Sequence, residues 1–293
     1  MRTEQEMMEL ILRVAKEDER IRAAYLGGSR CNPNVPRDLF QDYDIVYVVD
    51  DIQPFLEDPG WIDVFGERLL MQLPMENDKN MGTAERFEGA YGYLIQLADG
   101  NRVDCFLQTL EASRKDLAAS RLKRILLDKD GILPEVPEPS DITHWVQKPS
   151  ENVYTACCNE FWWLLLNVAK GLWRGEILYA MDMLNKWIRP ELFRMLEWQV
   201  GTEHAFSCSV GKCGKYLERY VTAQTWNAYL ATFPEGNAEA VWESVDTMCG
   251  LFSQTARTVG ERLGYAYPEE WERGSKTYLK QVRSLPKDAK TIF

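Results

Sequence analysis

Residues 45–49, Ile-Val-Tyr-Val-Val, are apolar without a break, and two acids, Asp42 and Asp44, stand just ahead of them. A strand that alternates apolar and polar residues covers one side of a sheet, whereas an unbroken apolar run implies burial on both faces. Residues 42–49 therefore predict a doubly buried strand, which makes the surrounding part of the chain a mixture of strands and helices. Its neighbours agree. Thr3 and Glu6 have capping-box spacing, and Met7, Leu10, Ile11, Val14 and Ala15 follow at helical intervals, so an amphipathic helix opens the chain and ends near Arg20. Residues 21–26 form a short strand closed by Gly27-Gly28-Ser29, and a loop broken by Pro33 and Pro36 follows. Residues 91–97 and 102–108 read as two strands, and Asp99-Gly100-Asn101 between them favours an antiparallel hairpin.

The pattern changes in the second half. Pro134, Pro137, Pro139 and Pro149 stiffen the chain and exclude regular helix, and beyond Ser150 long stretches (153–172, 177–198, 238–263) carry apolar residues three and four apart. The expected fold class is α+β. Residues 1–135 would form a domain with a mixed β-sheet flanked by helices, 136–150 a proline-rich linker, and 151–293 a helical bundle. Trp162, Trp163, Trp173, Trp187 and Trp198 are expected mostly in the core of that bundle, with a minority lining a ligand.

Composition removes several kinds of function. The net charge of −11 argues against a general nucleic-acid binder. Nearly all of the excess lies in residues 1–150, with 18 Lys and Arg against 28 Asp and Glu, while the remainder has 16 against 17; such a half attracts divalent metals or a cationic ligand. Seven cysteines without C-x-x-C spacing fit buried, reduced thiols, and two histidines leave little material for a zinc site or a Ser/His/Asp relay. The densest apolar run, 161–169, is about half of the roughly 20 residues that span a bilayer, so no membrane segment is expected. Glu4, Glu6, Glu9 and Glu17 in the first helix do not resemble a secretion signal, so none is expected, and a cytoplasmic protein is expected.

Side chains alternate along a strand, so Asp42 and Asp44 point to one face. Two like charges at the mouth of an apolar strand repel each other, and a bound divalent cation such as Mg2+ is the simplest compensation. The alternative leaves both acids as solvated residues before a strand. Two further features weigh against it. Gly28 and Ser29 follow another strand, where a residue without a side chain lets backbone N–H groups approach a phosphate and the hydroxyl bonds it. Asp104 sits inside the strand 103–107, a place that disfavours a carboxylate unless it is paired, protonated or metal-bound.

A strand, Gly-Ser, a loop, Asp-x-Asp opening a strand and a third Asp on a later strand resemble the nucleotidyltransferase fold of the polymerase-β type. Gly28-Ser-Arg-Cys-Asn32, Phe40-Gln-Asp-Tyr-Asp-Ile45, Leu127-Asp-Lys-Asp-Gly131, Cys157-Cys-Asn-Glu-Phe-Trp162, Ser209-Val-Gly-Lys212 and Tyr265-Ala-Tyr-Pro-Glu269 resemble the aminoglycoside 6-adenylyltransferases over nearly the whole chain. The resemblance departs at Gly27, where an acidic residue is expected in some relatives, and over residues 77–90, which match poorly. It implies transfer of AMP from ATP to the 6-hydroxyl of streptomycin, release of pyrophosphate and resistance to the drug.

In that scheme Asp42 and Asp44 hold Mg2+, and Asp104 accepts the acceptor proton, shares a second metal, or does both. Gly28 and Ser29 grip the triphosphate, and Arg30 either assists or is simply solvated. Lys212 and Lys215, in Val210-Gly-Lys-Cys-Gly-Lys-Tyr216, add positive charge for the phosphates, with Arg219 one turn further on, or else belong to a solvated turn. Glu160 and Asp182 are expected to face inward and pair with the drug's guanidinium groups, an ion pair within the protein being the alternative for each. The partners are thus ATP and streptomycin, without nucleic acid or membrane, on a monomer or weak dimer. Rival readings keep the fold and change the acceptor to another aminocyclitol or a protein hydroxyl, or leave a silent nucleotide-binding module.

Overall fold

The computed structural model describes residues 1–83 and 89–293. The chain divides into two compact units, 1–143 and 144–293, and the division falls inside the proline-rich stretch.

In the first unit α1 (Glu4–Glu17) carries the expected capping box: Thr3 accepts from the Glu6 backbone, and Glu6 reaches back to the Thr3 N–H. The helix stops at Glu17 instead of near Arg20, because the Asp18 carboxylate takes up the backbone N–H and the guanidinium of Arg20 and turns the chain into β1 (Ile21–Gly27). There follow β2 (Tyr43–Val49), the short α2 (Gln53–Leu56), β3 (Arg68–Gln72), α3 (Pro74–Asn80), β4 (Ala90–Leu97), β5 (Arg102–Gln108), α4 (Leu110–Ala119) and β6 (Lys123–Asp128). Of the poorly matching segment 77–90, residues 84–88 lie outside the described residues.

Among the described residues six strands form one sheet in the order β3-β4-β5-β2-β1-β6, in which β2 and β5 run parallel and the other neighbouring pairs antiparallel. Both faces of β2 are covered. Tyr43, Ile45, Tyr47 and Val49 join Met7, Leu10 and Ile11 of α1 in one core, while Val46 and Val48 pack with Tyr25 and Leu117 on the other side. Two-sided cover is what the apolar run requires, and it leaves Asp44, in phase with Val46 and Val48, at the open end of the second face.

The second unit consists of α5 (Glu151–Arg174), α6 (Ile177–Met183), α7 (Arg189–Glu203), α8 (Ala223–Leu230), α9 (Ala238–Leu263) and α10 (Glu269–Arg283). Ser150 and Asn237 cap α5 and α9 at their N-termini. The helix expected over 177–198 extends to Glu203 but passes through a π turn, Leu184–Ile188, in which Arg189 N–H bonds the Leu184 carbonyl five residues back. Pro190 has no N–H for the regular ladder, and the wider turn accommodates it. Phe161 and Phe252 stack at 3.7 Å in the core beside Trp162. Trp163 and Trp187 depart from the expected core placement: they are 64% and 57% exposed, because the inward stripe of α5 runs through Phe161, Trp162 and Leu165, and that of the π turn through Leu184 and Ile188. All seven cysteines are free thiols, five of them buried. Among the described residues no helix is long and apolar enough to cross a membrane.

Candidate active site

The parallel pairing of β2 with β5 sets Asp44 beside Asp104, so their side chains leave the same face of the sheet. Asp42 lies one residue ahead of β2 and reaches the same spot. One carboxylate oxygen from each of the three lies within 4.8 Å of the others. Burial, and then the charges of Asp42 and Asp104, lift the Asp44 carboxyl to about 6 against Lys123 and Arg102, which pull the other way.

Gly28 opens a 3-10 turn, Gly28–Cys31, directly after β1. Its φ is +67°, and a Cβ there would lie 1.9 Å from Asp44 Oδ2. Only glycine lets the backbone approach a carboxylate so closely. Ser29 follows in the same turn, partly exposed.

Arg30 is buried and committed to its own chain. Nε donates to the Asp42 carbonyl at 2.9 Å, a terminal nitrogen donates to the Gln41 carbonyl at 2.7 Å, and the guanidinium pairs with Glu4 at 3.2 Å and stacks over the Tyr43 ring at 3.7 Å. These contacts pin the loop that delivers Asp42, and the burial of Arg30 corrects the alternative of simple solvation. Arg37 clamps the same loop through the Arg30 carbonyl.

Two cations at the cluster escape a reading of the sequence. Arg102, two residues before Asp104 on the same face, donates from two nitrogens to the two oxygens of Asp104, each at 2.8 Å, and stands 3.8 Å from Asp42. Strand alternation was the available signal. Lys123 lies opposite Gly27 in the β1–β6 register and pairs with Asp116 at 2.5 Å. No local pattern marks it, since its place depends on that register.

The remaining predicted residues belong to the helical unit. Lys212 and Lys215 are exposed on a tight turn in which Gly211 and Gly214 take positive φ against the rings of Tyr216 and Phe193. Lys215 and Arg219 both approach the Tyr216 ring, at 5.1 and 4.2 Å, which unites them in one basic patch. Glu160 and Asp182 do not face inward. Glu160 shares the outer face of α5 with Trp163, and Asp182, on the outer face of α6, pairs with Lys186 one turn on at 2.9 Å. The buried stripe of α5 runs through Cys157, Cys158, Phe161, Trp162 and Leu165, and the buried position of α6 is Ala180, so both acids lie off the inward faces.

A family profile for streptomycin adenylyltransferase matches residues 1–282. An aminoglycoside 6-adenylyltransferase of Bacillus subtilis (strain 168) is 38% identical over 283 residues, spanning 96% of this chain and 98% of that protein. The enzymes of the same name from Campylobacter jejuni and Staphylococcus aureus are 37% and 35% identical, covering 97% and 96% of this chain and 97% and 98% of their own. A crystal structure of an aminoglycoside 6-adenyltransferase from Bacillus subtilis is 33% identical, with a TM-score of 0.48 over 97% of this chain and all of that one.

Proposed function

The chain belongs to the streptomycin adenylyltransferase family, whose relatives support adenylyl transfer to aminoglycosides, and on that premise we propose that it moves AMP from ATP to the 6-hydroxyl of streptomycin in a Mg2+-dependent reaction. The observation that carries the proposal is the meeting of Asp42, Asp44 and Asp104 within 4.8 Å at a glycine-built turn. Three carboxylate oxygens are a hard donor set, suited to Mg2+, and the raised Asp44 carboxyl reflects burial first and then the charges of Asp42 and Asp104, both of which a bound divalent cation would offset. Asp42 and Asp44 would hold the ion, with Asp104 as a further ligand; bound there, it would neutralise phosphate charge and so favour attack on the α-phosphorus.

The chain's own groups do the rest. Backbone N–H groups at Gly28 and Ser29 meet the triphosphate, and the Ser29 hydroxyl adds a donor. The acceptor oxygen bonds to the α-phosphorus as the bond from that phosphorus to the bridging oxygen breaks, and pyrophosphate leaves with its electron pair. Asp104 takes the hydroxyl proton, or holds metal, or does both in turn. Lys212 and Lys215 enter the proposal as nucleotide contacts, with weaker use of ATP expected in Lys212→Ala and Lys215→Ala and drug binding preserved.

The deciding experiment supplies purified protein with ATP, Mg2+ and a panel of aminoglycosides. Pyrophosphate release that depends on streptomycin, with a product heavier by one adenylyl group, is the expected result. Release with a different aminoglycoside alone reassigns the acceptor, and ATP binding without transfer to any acceptor rejects the proposal.

A further inference from the structure

Arg102 is a cation built into an anion cluster. It and Asp104 occupy alternate positions on one face of β5, so the strand itself holds the pair together. The two ends of the pair differ in freedom. The Asp104 side chain is 13% exposed and fixed by the sheet, whereas the Arg102 side chain is 47% exposed. Arg30, nearby, is buried and spent largely on carbonyls, but among the described residues Arg102 is held by the carboxylates of Asp104 and Asp42. A carboxylate that accepts a guanidinium at both oxygens has its best lone pairs occupied. While that bond lasts, Asp104 is poorly placed to take a proton from a hydroxyl or to hold a metal ion.

We propose that Arg102 is a charge-balancing latch on Asp104, covering it until a divalent cation enters the cluster with a nucleotide, and then turning from carboxylate to phosphate. The inference rests on the reading of the cluster as a nucleotidyl-transfer site. A divalent cation makes the guanidinium's charge redundant among the three acids. The freed guanidinium remains tethered to β5 beside them, and its planar fork matches phosphate oxygens as well as it matches a carboxylate. A cation that arrives alone displaces Arg102 without giving it a new partner. A cation that arrives with a polyphosphate supplies one. Cation and nucleotide therefore bind cooperatively, and Arg102 carries part of the coupling by exchanging Asp104 for phosphate.

The test uses the full chain and Mn2+ as a probe visible by electron paramagnetic resonance, with and without a nonhydrolysable ATP analogue. Arg102→Gln is expected to bind Mn2+ alone about two- to ten-fold more tightly than wild type, the range set by an exposed but bidentate pair. It is also expected to lose most of the gain in Mn2+ affinity that the analogue confers on wild type. Arg102→Lys, which keeps the charge and loses the fork, falls between. Asp42→Asn reports whether the probe sits in the cluster at all. If wild type binds Mn2+ in an Asp42-dependent way and Arg102→Gln binds it no more tightly, the latch is overturned and the site stands. If wild type shows no Asp42-dependent binding, the reading of the site fails and the latch fails with it.

Discussion

Glu272 in the helical unit and Asp44 in the sheet unit are both carboxylates largely withdrawn from water, yet their surroundings move them in opposite directions. Burial alone would raise Glu272, but it receives hydrogen bonds from Lys276 at 2.5 Å, Ser253 at 2.9 Å and Tyr267 at 2.9 Å, and these hold it below the usual carboxylate range. Arg257 adds an ion pair at 2.7 Å. Asp44 is buried beside two other acids and is lifted to about 6. Glu272 comes with donors; Asp44 comes with its own kind, and the fold bears the cost. The same contrast separates the arginines. Arg30 is locked onto carbonyls, while Arg102 holds the Asp104 carboxylate by an exposed head.

That contrast can be broken most decisively at Asp42. In purified Asp42→Asn or Asp44→Asn, adenylyl transfer should fall by about a thousand-fold or more, roughly 4 kcal/mol of barrier, with the fold intact. Turnover within ten-fold of wild type, measured as pyrophosphate release, would make these acids ornamental. Next in size is Glu272→Ala, which strips a buried network of its acceptor and should lower unfolding stability by about 2–3 kcal/mol in a denaturant titration. Transfer measured at low temperature should barely change. A large loss of activity in a fully folded variant would erase the distinction between the two kinds of acid.

Asp44→Asn should also show the cost of the cluster directly. The native-state carboxyl titrates near 6 and the ordinary value is 3.8, so the folded protein binds an extra proton between those limits and stability falls as pH rises through that window. The penalty is complete above about pH 6 and gone below about 3.8. In EDTA at pH 7.5 the variant should therefore be more stable than wild type by about 1–3 kcal/mol, a difference that closes towards pH 4. Equal stability across the range would mean that neither burial nor the neighbouring acids penalise the ionised Asp44. The smallest effect belongs to Asp182→Asn, where loss of an exposed pair with Lys186 should change stability by under about 0.5 kcal/mol. A several-fold rise in the KM for the aminoglycoside, by contrast, would give that outward acid a part in recognition.

The strands around Asp42 and the hairpin at Asp99-Gly100-Asn101 were legible because an apolar run and a turn triplet are local signals, as was the Thr3 cap. That Asp104 joins the pair was legible as a carboxylate misplaced in a strand, although its neighbour strand was not, since nothing local specifies that β5 lies beside β2. Lys123 was invisible for the same reason. The inward expectation failed because nearness in sequence to tryptophans, for Glu160, or to apolar residues, for Asp182, says little about the face of a helix: Trp162 is buried and Trp163 exposed on successive positions. The π turn was missed because periodicity tolerates one extra residue per turn, and only Pro190 hinted at it.

The parallel seam between β2 and β5 has a consequence for the order in which the protein assembles. Asp44 and Asp104 are far apart along the chain and cannot confront each other until that seam closes, after the intervening hairpin has been laid down. The repulsion is then felt chiefly by the finished protein and only weakly on the way to it. Its removal should slow the opening of the sheet and leave the rate of its formation nearly untouched.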